Sequence, residues 1–213
     1  MRITKFIHSC LLVELPAQER IVLFDPGEMS EEAVDVDAID KLDDIIITHD
    51  HPDHYSERLV RALVDKFPDV RITTTEPLVI KLDNLGIKAS SIPPKDVEFF
   101  AAPHETMYPF GPKQSAENIG VHLAGALSHP GDSHSFNETK TILALPVTGP
   151  WGRSNDALAL ALNLKPLHVL PIHDWHWNDD ARRSMYDRFA HALGEQGIIF
   201  HKLETGEPVS IDV

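Results

Sequence analysis

Ile45-Ile46-Ile47-Thr48-His49-Asp50-His51-Pro52-Asp53-His54 is the stretch on which the fold and the chemistry both turn. Three consecutive isoleucines predict a strand buried on both faces. The chain leaves that strand straight into four groups of metal-ligand type within six positions. On an extended backbone His49, His51 and Asp53 share one face and His54 points to the other. Imidazole nitrogen and carboxylate oxygen suit zinc and tolerate manganese or iron. The spacing suggests two cations side by side, His49 and His51 on one, Asp53 and His54 on the other. Pro52 restricts the loop backbone further. A solvated polar loop is the plain alternative, and the buried strand before it and the helix cap after it argue against that.

Outward from this loop the pattern alternates. Upstream, Ile3 to Ile7, Leu11 to Leu15 and Ile21 to Phe24 predict three strands, the third ending at the turn Asp25-Pro26-Gly27. Glu28 to Lys41 reads as an acidic surface loop or a poorly formed helix. Downstream, Ser56 caps a predicted helix with Leu59, Val60, Leu63, Val64 and Phe67 on one face. Val70 to Thr74 is a strand, and Thr75 opens a second helix that Gly86 stops. Residues 92 to 118 are rich in Pro and Gly, with one strand at Val97 to Phe100, and long irregular stretches of this kind are often functional. Thr141 to Leu145, His168 to Pro171 and Ile198 to Phe200 predict strands, with helices over Asp156 to Leu164 and Asp179 to Leu193 between them. The expectation is an α/β protein of sheets covered by helices, residues 1–213 forming one domain.

Composition narrows the function. The 213 residues suffice for a hydrophobic interior, and no apolar run approaches the length of a bilayer span. Met1-Arg2-Ile3-Thr4-Lys5 enters a strand pattern without a signal-peptide core, so the expected compartment is the cytoplasm. A net charge of −14 and the lack of a Lys/Arg cluster disfavour nucleic acid. Bound divalent cations stand outside that sum and can dominate the local field. The expected partner is a small-molecule substrate, with homo-oligomerisation left open. The single cysteine, Cys10, excludes an intramolecular disulfide and reads as a small core residue.

Four ligands do not complete two metal sites. The remaining candidates are His104 in Ala102-Pro103-His104-Glu105, Asp132 in Pro130-Gly131-Asp132-Ser133 and His173 in Pro171-Ile172-His173-Asp174. Each follows strand-like sequence, where functional residues sit on α/β scaffolds. Together with Ile3-Thr4-x-x-Ile7-His8-Ser9, Leu23-Phe24-Asp25-Pro26-Gly27, Pro146-Val147-x-Gly149-Pro150-Trp151 and Leu170-Pro171-Ile172-His173, these motifs resemble the metallo-β-lactamase superfamily. The likeness covers nearly the whole chain and is greatest to the ascorbate-6-phosphate lactonase-like branch of small metallohydrolases. It implies an αββα sandwich, two mixed sheets flanked by helices. It further implies that His49, His51 and His104 hold one metal, Asp53, His54 and His173 the other, and Asp132 bridges them. Asp25 would support the metal-binding loop from behind. Ser133 stands where the branch often has Thr, a change that keeps the hydroxyl.

The implied reaction is hydrolysis of an ester, lactone or phosphoester by a hydroxide shared between two divalent ions about 3.5–4 Å apart, zinc with Mn or Fe as alternatives. Asp132 and Asp53 are the candidate catalytic carboxylates, Asp132 as the group that accepts or relays a proton. The other readings are a phosphodiesterase or nuclease of the same superfamily, a noncatalytic metal-binding domain, and an iron oxidoreductase, whose flavin-binding domain this sequence lacks. His8 is divided between supporting the site and filling the core. His129 and His134 are expected at the surface or in hydrogen bonds. His176 is a weaker pocket candidate, and His122, His168, His191 and His201 read as structural. Trp151, Trp175 and Trp177 form either an aromatic wall or ordinary packing.

Overall fold

The computed structural model describes residues 1–212, which form two compact units, Met1–Lys95 with the segment from Glu204 onward, and Asp96–Leu203. With elements numbered in chain order, the first unit holds β1 (Arg2–Lys5), β2 (Leu11–Leu15), β3 (Arg20–Phe24), β4 (Asp44–Ile46), β5 (Arg71–Thr73) and β12 (Pro208–Ser210). They pair in the order β12-β1-β2-β3-β4-β5. The hairpin side is antiparallel, whereas β3, β4 and β5 run parallel. Two helices, α1 (Glu57–Lys66) and α2 (Glu76–Asn84), belong to the same unit. Leu59, Val60 and Leu63 of α1 and Leu78 and Leu82 of α2 pack in one core with Leu23, Ile45, Ile47 and Ile72. The three-to-four spacing that predicts the α1 face is thus the face that is buried. Ser56 caps α1 by accepting from the Leu59 N–H at 3.0 Å. Gly86, at φ 75°, ends the run after α2 in a left-handed conformation that favours glycine.

The second unit is another six-stranded mixed sheet, ordered β11-β10-β9-β8-β7-β6. Its strands are β6 (Val97–Phe100), β7 (Gly120–Leu123), β8 (Leu127–His129), β9 (Ile142–Pro146), β10 (His168–Ile172) and β11 (Ile199–Phe200). Helices α3 (Ser154–Leu164) and α4 (Asp179–Gly194) contribute Ala157, Ala161, Phe189 and Leu193 to a core with Leu143, Leu145, Val169 and Phe200. Each sheet therefore carries its own pair of helices. β4 and β9 are buried along their length, and β10 is buried from Val169 onward, with His168 partly exposed.

Strand direction decides where the candidate ligands lie. In the first sheet β1 and β3 are both antiparallel to β2, and β4 is parallel to β3. The C-terminal ends of β1, β3 and β4 therefore share one edge, and His8, Asp25 and residues 48–54 all follow those ends. In the second sheet β8, β9 and β10 are parallel, and β6 runs the same way because both β6 and β8 oppose β7. His104, Asp132, Trp151 and His173 follow the C-terminal ends of β6, β8, β9 and β10.

At the opposite end of β4, Asp44 is fully buried and accepts from Arg20 Nε at 2.6 Å and from Arg71 Nε at 2.9 Å. The Arg20 side chain is itself only 10% exposed. Asp44→Ala would leave that guanidinium without its counter-charge, an imbalance that costs about 3–5 kcal/mol when one member of a buried pair is removed. The expected result is a lower urea midpoint with an unchanged slope.

Glu28 to Lys41 resolves into two short 3-10 turns, Glu28–Ser30 and Val36–Ala38. Asp35 caps the second by accepting from the Asp37 and Ala38 amides. No helix among the described residues is long and apolar enough to cross a membrane.

Candidate metal centre

The loop 49–54 is held by backbone bonds to the turn after β3. Glu28 donates its N–H to Pro52 O at 2.7 Å, and Ser56 donates to Pro26 O at 2.9 Å. Within the loop, His54 and Tyr55 both donate to His51 O. Gly27 lies against this loop so closely that a Cβ there would fall 2.0 Å from Asp53 O and 2.8 Å from His54 N. Its φ of −80° is open to any residue, so glycine is required here for space alone.

Asp25 is inaccessible and organises the site from behind. Its Oδ1 accepts from the Thr48 N–H at 2.7 Å, and its Oδ2 accepts from Thr48 Oγ1 at 2.9 Å and from His54 Nδ1 at 2.7 Å. A carboxylate can only accept, so the His54 proton lies on Nδ1 and Nε2 is left as a lone-pair donor. Thr48 Oγ1 gives its own proton to Asp25 and lies 3.1 Å from His49 Nδ1, which fixes the His49 proton there. His49 Nε2 then lies 3.1 Å from His51 Nδ1. Two imidazole nitrogens turned toward each other at this distance suit a shared cation. The His49 and His54 rings are 4.1 Å apart, so the pair His49/His51 adjoins the group of His8, Asp53 and His54 within one unit. Asp50, the remaining acid of the stretch, is turned away and pairs with Lys81 Nζ at 2.7 Å.

In the second unit the same logic repeats. His104 Nδ1 donates to Glu105 O at 2.6 Å, and its Nε2 lies 3.6 Å from Asp132 Oδ2. His173 Nδ1 donates to Thr148 O at 2.7 Å, and its Nε2 lies 3.1 Å from Asp132. Asp132 thus has the Nε2 atoms of both histidines beside its carboxylate. Metal-ligating histidines are held in this way, one nitrogen tied to a carboxylate or carbonyl and the other left for the ion. The donor set therefore fits divalent cations. His8, Asp25 and His173 also adopt left-handed backbone, at φ 64°, 44° and 62°. Such conformations are unfavourable for residues with side chains and concentrate at functional sites.

Several supporting residues escape the sequence reading. Asn118 donates from Nδ2 to Ala102 O and to Pro130 O, and its Oδ1 accepts from the Asp132 N–H. It pins the loops of His104 and Asp132 together, and nothing in its surroundings marks it beyond its place in an irregular segment. Glu105 accepts from the His134 N–H and from Ser135 Oγ, tying residues 104–105 to the loop that follows Asp132. Trp151 donates its indole N–H to Asp132 Oδ2 at 3.0 Å. The three tryptophans do not act as one wall: Trp177 packs against the helical core and Trp175 is 53% exposed. His134 Nε2 donates to Pro146 O, the expected hydrogen-bonding role, whereas His129 is fully buried and accepts from the Gly131 N–H. Cys10 is buried as expected, and desolvation pushes its thiol pKa well above the usual range.

The Trp151 contact has a direct test. Trp151→Phe keeps an aromatic ring and removes the donor to Asp132. Changes to groups that orient a ligand typically cost about 10–100-fold in metal affinity or activity. Chelator competition and steady-state kinetics should show a loss of that size with the melting temperature nearly unchanged.

Residues 2–173 match the model of the beta-lactamase superfamily domain. Protein Rv0786c of Mycobacterium tuberculosis is 30% identical over 204 residues, which cover 88% of this chain and 91% of that protein. Igni18, a metallo hydrolase from the hyperthermophilic archaeon Ignicoccus hospitalis, shares the fold with a TM-score of 0.74 at 19% identity, covering 100% of this chain and 98% of its own. Isothiocyanate hydrolase from Delia radicum gut bacteria superposes with a TM-score of 0.69 at 16% identity, covering 99% of both chains. The expected αββα class is thereby met, each mixed sheet bearing its two helices. With residues 2–173 matched by that family model, the chain belongs to the metallo-β-lactamase superfamily.

Proposed function

We propose that the protein is a hydrolase of small-molecule esters, lactones or phosphoesters that works with two divalent cations, zinc foremost. One observation carries this reading: His49, His54, His104 and His173 are each tied through Nδ1, which leaves Nε2 of each as a lone-pair donor. Four histidines oriented in this way would be an unusual feature of a merely polar surface. Following the family pattern, His49, His51 and His104 would hold one cation, Asp53, His54 and His173 the other, and Asp132 would bridge. When bound, such a pair supplies an activated water and polarises the oxygen under attack.

The chain's own residues then have defined tasks. Asp25 and Thr48 keep His49 and His54 in the required tautomer. Thr148 O and Glu105 O do the same for His173 and His104. Asp132, restrained by Trp151, is the carboxylate placed to accept a proton from the attacking water and pass it on. Asp53, at the rim with its side chain 25% exposed, is the ligand closest to solvent in its group. The net charge of −14 favours small or neutral substrates over long polyanions.

The substrate class is tested by turnover of the zinc-loaded protein on parallel panels of simple esters, lactones and bis-nitrophenyl phosphate. The reading predicts hydrolysis within the small-molecule panels and no preference for RNA or DNA. Preferential cleavage of nucleic acid would replace it with the nuclease reading. Full metal loading with no turnover on any panel would favour a noncatalytic metal-binding domain.

A further inference from the structure

We infer that His8 is itself a metal ligand, joining Asp53 and His54 on the same cation. The inference rests on the metal reading above and adds a donor to it. His8 lies in the tight connection between β1 and β2, closed by the Phe6 N–H to Cys10 O bond at 2.9 Å and the Cys10 N–H to Ile7 O bond at 3.2 Å. Ser30 Oγ donates to Ile7 O and fastens this corner to the turn after β3. The connection forces His8 to φ 64°, a conformation for which Gly or Asn would be less strained. An imidazole retained at such a corner, with its side chain 1% exposed, calls for a reason beyond the turn itself.

The geometry supplies one. His8 Nε2 lies 3.2 Å from Asp53 Oδ2, and His54 Nε2 lies 3.9 Å from the same oxygen. The His8 and His54 rings meet edge to face, with centroids 5.4 Å apart. One donor atom from each of His8, Asp53 and His54 falls within 4.8 Å of the others. Ligands about 2.0–2.2 Å from one ion lie roughly 3–4 Å apart, so these three atoms can surround a common centre. A cation that takes His8 in addition to the family's ligands has fewer positions open to substrate.

The competing role is positional, with His8 donating Nε2–H to Asp53 and only steering that carboxylate. The two are separated by stripping the full-length protein of metal and titrating it with Zn2+ against a chromophoric chelator and with Co2+ followed by visible absorption. Three proteins are compared: wild type, His8→Asn, which suits the left-handed backbone, and His8→Gln, which offers an amide N–H near the position of Nε2. Circular dichroism of the metal-free forms checks that each is folded. A ligand role predicts that one of two equivalents weakens by about 100-fold or more in both variants, beyond the loss typical of an orienting residue. It also predicts that the Co2+ spectrum changes in both, because the ligand field has lost a nitrogen. A wild-type Co2+ spectrum in either variant overturns the inference, and recovery by Gln alone would assign His8 to steering Asp53. Failure of the wild type to bind metal at all would instead remove the functional reading on which the inference stands.

Discussion

Gly27→Ala is expected to abolish turnover and to strip the protein of at least one metal equivalent, although the residue carries no chemistry. The added methyl would lie 2.0 Å from Asp53 O, 2.3 Å from Asp53 C and 2.8 Å from His54 N. Those are main-chain atoms, so no side-chain rotation relieves the contact. Overpacking costs about 1–3 kcal/mol even where side chains can adjust, and a backbone clash lies at or beyond the upper end. The chain would yield by displacing residues 52–54 and breaking the Glu28 to Pro52 and Ser56 to Pro26 bonds. Asp53 and His54 would leave their positions together. Metal content by atomic emission and the thermal melt check this directly: a folded protein with reduced metal content is the expected outcome, and wild-type metal content would contradict it.

His51→Ala is expected to have an effect of similar size by a different route. His51 Nδ1 faces His49 Nε2 at 3.1 Å, so its removal leaves His49 without the partner that completes their half of a site. His51 is only partly buried, unlike His49 and His54, and its loss creates little cavity. Turnover should vanish and metal content fall, while the metal-free protein melts within about a degree or two of wild type, since truncations of partly exposed side chains typically change stability by ~0.5 kcal/mol or less. This separation of activity from stability distinguishes a ligand from a packing residue. Survival of both activity and metal content would remove His51 from the site.

Much of this was legible in the residues because the signals are local. The isoleucine run before His49 specifies a buried strand, and Ser56 followed by Leu59, Val60 and Leu63 specifies a capped helix. A loop between two such well-marked elements has little freedom, which is why the cluster of candidate ligands could be located from sequence. His104, Asp132 and His173 stood out by their places after strand-like sequence, whereas the supporting role of Asp25 came from the family resemblance. What escaped depends on tertiary pairing. β7 carries Gly120 and His122, and β8 is only Leu127-Ser128-His129 long; both are strands because neighbours pair with them, since neither has the composition to form one alone. β12 begins with Pro208 and exists because β1 pairs with it at the sheet edge. α3 starts at Ser154, two residues ahead of the expected Asp156, and its N-cap residue Arg153 makes no side-chain cap that a sequence pattern could reveal. Asn118 and Glu105 act through hydrogen bonds to residues distant in the chain, a role no periodicity encodes.

The measurement that tests the central claim most directly is metal content and hydrolytic turnover on the same preparation, before chelation, after it and after reloading with Zn2+. The account predicts about two equivalents per chain, loss of turnover as they are removed, and recovery as they return. Turnover that persists in the metal-free protein, or a fully reloaded protein that hydrolyses no ester, lactone or phosphoester, would contradict it.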